Sequence, residues 1–303
     1  FFYKFFTLRN RYNVIHVHVP NPLAVLAVLL FGCRSKLVVH WHSDILNQKY
    51  LYKAFRFFEK VFLKRADIIL ATSPIYIQHS IPLQSQINKV VVLPLTIDTK
   101  NLPVNDALVQ QISNKYFGKT IIFSLGRFVY YKGFEYLIQA ATYLDDQFVV
   151  IIGGKGPLKS FYMDLIVKHH LKDKVFIVEA IPYNELGSYY KACNIFCLPS
   201  CEKTEAFGAV LVEAMSFSKP VVATQIDGSG VSWVNQNSYT GYNVEVKSPT
   251  ALAFALKQIT EPENLTKFGN NAKQRFLTVF SKEAIIEQLK RYYLDILANK
   301  EKI

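Results

Sequence analysis

The chain has 303 residues, half of them hydrophobic, so it can bury a sizeable core and does not belong to the disordered class. Its length predicts two domains, because single domains usually contain about 100 to 200 residues. The 35 basic and 23 acidic side chains give a formal charge of +12, and the basic excess is concentrated in residues 1–118. This asymmetry indicates an anionic partner, either a membrane surface or a nucleic acid.

Strand-like and helix-like segments alternate along the whole chain. In the first half, short β-branched apolar runs predict strands at residues 13–19, 36–40, 67–71 and 90–93. In the second half, similar runs lie at residues 120–125, 148–153, 174–178, 195–198 and 220–223. Strands that are apolar on both faces and connected by helices form parallel sheets covered on both sides. The predicted fold class is therefore α/β, with two doubly wound parallel-sheet domains.

A polar segment without a strand signal, residues 95–119, separates the two predicted sheets. We therefore predict a first domain over residues 1–118 and a second over residues 119–280. A last helix is expected over residues 281–298, where Ser281 is a good N-cap. No transmembrane helix is predicted, because the apolar run at residues 22–31 is too short to cross a bilayer.

Two features concern the origin of the chain. It begins at Phe1 in a basic, helix-like segment that lacks a signal-peptide pattern, so we expect an N-terminally truncated fragment. The four cysteines form no C-x2-C motif and are expected to be reduced thiols of a cytoplasmic protein. They are Cys33, Cys193, Cys197 and Cys201.

Two H-x-H pairs lie at or near predicted strand ends, His16 with His18 and His40 with His42. Side chains two residues apart on a strand share a face, so either pair could ligate zinc. However, Asp44 is the only nearby carboxylate, and the chain contains no D-x-D motif. We therefore favour core histidines with satisfied hydrogen bonds and predict no metal site.

Residues 51–65 form a predicted amphipathic helix with a basic stripe. Its apolar arc comprises Leu51, Ala54, Phe55, Phe58, Val61 and Phe62. The opposite face carries Lys53, Arg56, Lys60 and Lys64, with Phe57 beside them. A basic stripe with an exposed aromatic ring suits an anionic membrane surface, and a solvated face on a core helix is the alternative. Nucleic acid is not a predicted partner, because no nucleic-acid motif accompanies the charge.

A turn with the sequence GRFVYYKG follows the strand at residues 120–125 and runs from Gly126 to Gly133. Lys132 lies near the start of the next predicted helix, where a cation opposes the helix dipole, so an anion is expected to share the site. The guanidinium of Arg127 and the ammonium of Lys132 could together neutralise a diphosphate. The alternative is that Arg127 pairs with a structural carboxylate and Lys132 is solvated.

A second glycine-rich turn follows the strand at residues 148–153 and contains Gly154 and Gly156. Glycines at such a turn allow the backbone to approach a ligand closely. The third glycine of G-x-G-x-x-G is absent, because Lys159 occupies its position. This difference disfavours a dinucleotide-binding site.

The segment EAFGAVLVEAMSFSKPVVAT, residues 205–224, carries the strongest functional signal. Gly208 permits a turn, and a helix is predicted from about Ala209 to Ser216, with Glu205 on the loop and Glu213 inside the helix. The unpaired backbone N–H groups of a helix start suit phosphates or sugar hydroxyls. A buried glutamate needs a partner, and the vicinal hydroxyls of a ribose would serve. By spacing alone, both carboxylates could equally be surface residues.

This segment resembles the E-x7-E signature of retaining GT-B glycosyltransferases, specifically glycosyltransferase family 4. The two turns are similar to the G-R-x-x-x-x-K-G and G-x-G-x-L patterns of the same family. The resemblance implies two Rossmann-like domains facing a cleft, with the last helix crossing back onto the first domain. The opening strand and glycine-rich loop of the family are missing, so the first domain is expected to be incomplete and the fragment inactive or unstable alone.

The resemblance also implies an activity and its residues. A sugar is transferred from a nucleotide-diphosphate sugar to a saccharide or lipid-linked saccharide, with retention of configuration and without a metal or other cofactor. The catalytic residues implied are Glu205, His42, Arg127 and Lys132. The donor-binding residues implied are Gly126, Gly154, Gly156, Phe207, Gly208, Ala209 and Glu213. A nucleotide-sugar epimerase and a non-catalytic nucleotide-sugar-binding or membrane-docking protein are the alternatives. The protein is expected in the cytoplasm, peripherally attached to the inner face of the membrane.

Overall fold

The structure is a computed structural model that describes residues 1–45, 49–99 and 102–298. It divides into two compact units, of which the first contains Phe1–Leu95 and the chain from Glu283 onward, and the second contains Thr96–Lys282. Each unit is built on one parallel sheet, so the predicted α/β class with two parallel-sheet units is confirmed.

The strands and helices alternate as the sequence pattern predicts. The strands are β1 (Val14–Val19), β2 (Lys36–Trp41), β3 (Ile68–Ala71), β4 (Val90–Val92), β5 (Thr120–Leu125), β6 (Phe148–Gly154), β7 (Val175–Glu179), β8 (Ile195–Leu198), β9 (Val221–Gln225) and β10 (Gly241–Glu245). The helices up to residue 192 are α1 (Phe2–Leu8), α2 (Pro22–Phe31), α3 (Lys49–Arg65), α4 (Pro74–His79), α5 (Ile81–Gln84), α6 (Asp106–Lys115), α7 (Phe134–Ala140), α8 (Lys159–Lys168) and α9 (Tyr183–Ala192). The later helices are α10 (Ala209–Ser216), α11 (Val231–Val234), α12 (Pro249–Thr260), α13 (Pro262–Arg275) and α14 (Lys282–Ala298).

The first unit contains a four-stranded sheet in the order β1-β2-β3-β4, with every pair of neighbours parallel. One core cluster of this unit joins Val38, Ile68 and Leu70 of the sheet to Ile285 and Ile296 of α14. The last helix therefore belongs to the first unit, although nearly two hundred residues of chain separate it from β4.

The buried face of α3 differs from the predicted arc. Phe62 and Leu63 are buried, and so is Glu59, whose carboxylate accepts a 2.7 Å hydrogen bond from the hydroxyl of Tyr52. Burial raises the pKa of Glu59, and the Tyr52 bond lets this carboxyl group lie on the inner face. The predicted apolar arc did not include Glu59 or Leu63, so the buried face of the helix was predicted wrongly. Four members of the predicted arc are exposed instead: Leu51, Ala54, Phe58 and Val61.

The second unit contains a six-stranded parallel sheet in the order β10-β9-β8-β5-β6-β7. The strands β5, β6 and β8 are almost completely buried on both faces, as continuous apolar runs predict for a parallel sheet with helices on both sides. The central position of β5 between β6 and β8 brings the loops that follow these three strands to one edge of the sheet.

The boundary between the units lies after Leu95, not after residue 118. Helix α6 packs against α9 of the second unit, and the backbone N–H of Asn105 donates a 2.8 Å hydrogen bond to the Ser188 hydroxyl. The segment before α6 also lies against Gly187, where an added Cβ would come within 2.5 Å of the Leu102 carbonyl oxygen. Because residues 95–119 have the polar composition of a linker, the sequence pattern did not predict that α6 packs against α9.

Within the described residues, no helix combines the length and the apolar character needed to cross a bilayer. The helices of the first unit nevertheless expose large apolar side chains. Helix α2 packs against both α1 and α3, and these three helices carry the exposed side chains Tyr3, Phe6, Leu23, Leu30, Tyr50, Leu51 and Phe57.

Candidate functional site

Two glycine-containing turns and the loop after β8 meet at the edge of the second sheet. Gly154 has a φ of +147°, and an added Cβ would lie 1.9 Å from the carbonyl oxygen of Gly126. Gly133 has a φ of +63°, and its Cβ would lie 2.2 Å from the carbonyl oxygen of Pro199. Only glycine fits either contact, so the turns predicted to bind a ligand pack against each other.

Glu205 and Lys132 form a buried ion pair in this region. Lys132 Nζ lies 2.5 Å from Glu205 Oε2, and each side chain is about 10% exposed. The Ser200 hydroxyl donates a 2.9 Å hydrogen bond to the same carboxylate oxygen, and the Ser229 hydroxyl donates to the backbone carbonyl of Glu205. Such anchoring fixes the loop before α10 and compensates the buried charges.

Glu213 lies on α10 and has one hydrogen-bond donor, the hydroxyl of Tyr190, at 2.5 Å from Oε2. Burial raises the pKa of Glu213, while the Tyr190 bond and the charge of Lys132 lower it. Tyr190 is completely buried, and burial together with the Glu213 carboxylate raises its pKa well above the usual range. One ammonium group therefore acts electrostatically on two carboxylates.

The first turn of α10 follows Gly208, whose φ of +81° is in the left-handed region. The backbone N–H groups at such a helix start have no intrahelical acceptors and can bind an anion. The ring of Phe207 is buried and packs edge-on against Phe280, so the backbone of Phe207, and not its ring, is available to a ligand.

An open cleft of about 380 Å³ lies beside the two glycine turns. Its walls include Gly126 and Arg127 of the first turn, Gly154 and Lys155 of the second turn, and Val210 in the first turn of α10. Arg127 is exposed, and within the described parts of the chain no carboxylate forms an ion pair with it. The structural alternative for Arg127, pairing with a carboxylate, is therefore not observed. The cleft combines exposed cations with backbone that a ligand can approach closely, which suits phosphate oxygens.

In the first unit, the two H-x-H pairs come together as one group of four histidines. His18 lies opposite His40 in the register of β1 and β2, and His18 Nδ1 is 2.8 Å from His42 Nε2. The His40 and His42 rings stack with centroids 4.3 Å apart. Burial, reinforced by the neighbouring His18, lowers the pKa of His42, so its imidazole is neutral at neutral pH.

The comparisons with known proteins assign the chain to a family. The family model described as glycosyl transferases group 1 matches residues 106–275, which is more than half of the chain, and a glycosyl transferase 4-like domain matches residues 2–96. This protein is a group 1 glycosyltransferase.

Similar curated proteins include two bacterial glycosyltransferases. The chain is 28% identical over 300 residues to the O-antigen chain mannosyltransferase C of Escherichia coli, covering 98% of this chain and 79% of that protein. It is 28% identical over 281 residues to the D-rhamnosyltransferase WbpZ of Pseudomonas aeruginosa, covering 92% of this chain and 73% of that protein. The names of these relatives agree with an enzyme that transfers sugars.

Solved structures confirm the GT-B fold of this glycosyltransferase. Sucrose-phosphate synthase from Thermosynechococcus elongatus matches with a TM-score of 0.78 and 24% identity, covering 98% of this chain and 77% of that chain. Anabaena HepE in complex with UDP matches with a TM-score of 0.81 and 19% identity, covering 97% of this chain and 82% of that chain.

The glycosyltransferase brings most of the predicted donor-side residues to one edge of the second sheet. Gly126, Arg127 and Gly154 line the cleft, whereas Lys132 and Glu205 form the buried pair beside it. The other predicted residues of the second unit lie in the same loops or on the helix that follows: Gly156, Phe207, Gly208, Ala209 and Glu213. His42 lies after β2 in the first unit.

Three residues near the site were not predicted. Lys155 lies in the second glycine turn, and its positive charge at that position could have identified it as a candidate site residue. Ser200 follows an apolar strand, where polar residues of parallel sheets commonly face a ligand. Tyr190 gave no signal, because its partner is 23 residues away on another helix and only the folded sheet brings the two together.

Proposed function

We propose that this glycosyltransferase moves a sugar from a nucleoside-diphosphate sugar to a saccharide or lipid-linked saccharide, with retention of anomeric configuration and without a metal ion. The observation that carries the proposal is the buried Lys132–Glu205 pair, close enough to Glu213 to act on its charge and located beside a cationic, glycine-walled cleft. The HepE structures contain UDP or UDP-glucose, and the similar curated proteins are a mannosyltransferase and a rhamnosyltransferase, which supports the same classes of substrate.

The donor diphosphate is proposed to bind Arg127, Lys132 and the backbone N–H groups of residues 207–209. Arg127 supplies a planar fork for two phosphate oxygens, and Lys132 supplies a point charge. These cations take the role that a divalent ion has in metal-dependent phosphate transfer, namely stabilising the negative charge of the leaving group. Gly126, Gly154 and Gly156 let the backbone approach the donor.

Each glutamate has one carboxylate oxygen left for the donor. Both hydrogen bonds to the Glu205 side chain end on Oε2, so Oε1 is the atom that we assign to a hydroxyl of the transferred sugar. Tyr190 likewise occupies Oε2 of Glu213, and we assign Oε1 of that residue to a ribose hydroxyl. A carboxylate held through one oxygen presents the other in a fixed direction, which favours a specific hydroxyl geometry.

In the proposed reaction, the bond between the sugar C1 and the diphosphate oxygen breaks, and the acceptor oxygen bonds to C1 from the same face. The leaving phosphate takes the proton of the acceptor hydroxyl, so no protein nucleophile is needed. Catalysis then depends on positioning and electrostatic stabilisation. His42, as a neutral imidazole, orients a sugar hydroxyl without adding positive charge against the developing oxocarbenium ion.

The acceptor is proposed to be presented at an anionic membrane surface by α3. Helix α3 has four exposed cations, Lys53, Arg56, Lys60 and Lys64. The side chain of Phe57 beside them is 70% exposed. The exposed Leu51, Ala54, Phe58 and Val61 add apolar area that the predicted arc would have buried. Such a surface suits peripheral attachment at the cytoplasmic face of a membrane, where polysaccharide precursors carried on lipids would be extended.

The reaction is tested with a panel of nucleotide sugars and saccharide acceptors, using NMR to assign the anomeric configuration of the product. We expect transfer with retention for one donor, unchanged by EDTA. A parallel reaction without an acceptor separates transfer from epimerisation, because an epimerase changes the donor alone. Product with inverted configuration, or activity lost in EDTA and restored by Mg²⁺, would contradict the proposal.

The membrane contact is tested by sedimentation with vesicles of neutral lipid or of neutral lipid mixed with phosphatidylserine. Lys60→Gln combined with Lys64→Gln should lower the affinity for anionic vesicles roughly 30-fold, since each cation contributes about 1 kcal/mol near such a surface. Lys257→Gln combined with Lys267→Gln removes the same charge from exposed positions of the second unit and should have little effect. Equal losses for both pairs would mean that α3 is not the contact surface.

A further inference from the structure

Four histidines of the first unit, His16, His18, His40 and His42, lie together on β1, on β2 and directly after β2. His16 and His18 alternate with inward apolar residues on β1, and His40 lies opposite His18 on β2. The His16 and His18 rings stack with centroids 4.7 Å apart, and the His18 and His40 centroids are 5.0 Å apart. No carboxylate is part of this cluster, so its ligand chemistry is that of imidazole nitrogen alone.

Among the described residues, several ring nitrogens of this cluster are buried and lack a hydrogen-bond partner. His40 is 8% exposed, and neither its Nδ1 nor its Nε2 has a partner in the part of the chain that the structure describes. The Nε2 of His16 is likewise buried without a partner among those residues. Burying a polar atom without a hydrogen-bond partner is unfavourable, so three such atoms on two neighbouring side chains point to a ligand-binding site.

We propose that His16, His18 and His40 bind one divalent transition-metal ion of the Zn²⁺ type. One nitrogen from each residue can be chosen so that all three lie within 4.8 Å of one another. Zinc–nitrogen bonds of about 2.0 to 2.1 Å require nitrogens separated by roughly 3.3 Å in a tetrahedral site. Rotation of the imidazoles about their side-chain torsions would bring the three nitrogens to this separation. Imidazole ligands favour zinc, cobalt, nickel and copper over magnesium or calcium.

The surroundings of the cluster match those of known histidine metal sites. Tyr293 of α14 lies with its hydroxyl 2.6 Å from His16 Nδ1, which leaves Nε2 of that ring as the ligand atom. A partner on the second ring nitrogen fixes the tautomer and the orientation of a metal-binding histidine. His18 is exposed and gives an ion access from solvent.

Protonation does not prevent this binding at neutral pH. Burial and the neighbouring rings lower the pKa of His16 to about 4 and that of His40 to about 3. Both imidazoles therefore keep the lone pairs that a metal ion needs. The metal site is independent of the donor chemistry proposed above, because all its ligands lie in the first unit and the reaction assigns no step to a metal.

The test is an equilibrium titration of the tag-free, full 303-residue chain with ZnCl₂ against a chromophoric chelator, repeated with CoCl₂ to follow the visible bands of tetrahedral Co²⁺. We expect one ion per chain and an upward shift of the unfolding midpoint with Zn²⁺. His18→Gln changes an exposed ligand and should keep the fold while lowering zinc affinity more than tenfold. Tyr293→Phe, which changes no ligand, should weaken binding by about tenfold.

His79→Gln is the matched control, because His79 is an exposed histidine of the same unit outside the cluster. It should leave zinc affinity unchanged. The proposal is overturned if the chain binds no zinc at micromolar concentration, if Co²⁺ gives no tetrahedral bands, or if His79→Gln weakens binding as much as His18→Gln. Circular dichroism of each variant separates loss of a ligand from loss of the fold.

Discussion

Replacing Glu205 with glutamine removes the negative member of the buried pair and keeps its shape. The buried ammonium of Lys132 then loses its paired carboxylate, and breaking a buried ion pair in this way typically costs about 3 to 5 kcal/mol. Because glutamine can still accept hydrogen bonds from Lys132 and Ser200, we expect the lower end of this range, about 3 kcal/mol of unfolding free energy. Transfer should fall at least about 100-fold, since the sugar loses its fixed acceptor oxygen.

Urea denaturation of the second unit measures this cost. The chain has two tryptophans, and Trp41→Phe leaves Trp233 as the only one, so its fluorescence reports the second unit. The control is Glu179→Gln, which breaks the half-exposed pair with Lys159 and should cost no more than about 1 kcal/mol. Equal losses for Glu205→Gln and Glu179→Gln would show that the buried pair does not stabilise the unit.

UDP binding tests the functional half of the same argument. The Glu205→Gln variant should bind UDP within about threefold of the wild type, because the diphosphate contacts assigned to Arg127 and Lys132 are intact. Saturating UDP should therefore raise the free energy of unfolding of the variant and of the wild type by similar amounts. Loss of UDP binding in a folded Glu205→Gln variant would refute the division of roles between sugar and phosphate.

Three further substitutions test the site. Tyr190→Phe removes the hydroxyl that holds Glu213, and we expect the donor KM to rise about tenfold with kcat changed less, measured by steady-state kinetics. Arg127→Gln should also raise the donor KM about tenfold while changing the free energy of unfolding by less than about 0.5 kcal/mol, because Arg127 is exposed. Gly154→Ala places Cβ 1.9 Å from a carbonyl oxygen and should cost about 3 kcal/mol or more in urea denaturation. Gly118→Ala, with a φ of +75° but no atom within 4 Å of its Cβ, is the control and should cost about 1 kcal/mol.

The strands were the most predictable part of the fold. β5 and β8 have the predicted bounds. Their short β-branched runs are apolar throughout and show no 3.6-residue periodicity, so the pattern does not also predict a helix. The start of α10 was predicted equally well, since Gly208 supplies the left-handed residue that its turn requires. These features depend on local sequence, so the sequence alone specifies them.

Features that depend on sheet order could not be predicted from residue patterns. Lys132 and Glu205 were predicted separately, Lys132 as a cation for a diphosphate and Glu205 as a catalytic carboxylate, and the two residues are 73 positions apart. They meet because β8 is the neighbour of β5, and the strand order is a property of the whole sheet. The inner face of α3 was predicted wrongly for a related reason, since only the fold brings Tyr52 and Glu59 together in a buried hydrogen bond.

The Lys132–Glu205 pair does not have to break for a donor to bind. An ammonium group has three N–H donors, and the hydrogen bond to Glu205 Oε2 uses one of them. Lys132 can therefore hold the carboxylate and a phosphate oxygen at the same time, which fixes the distance between the sugar-binding group and the leaving group. The same charge also lowers the pKa of Glu213. By this reasoning Lys132 links recognition of phosphate, sugar and ribose, so its replacement should impair donor binding and transfer together, whereas replacing Glu205 should impair transfer alone.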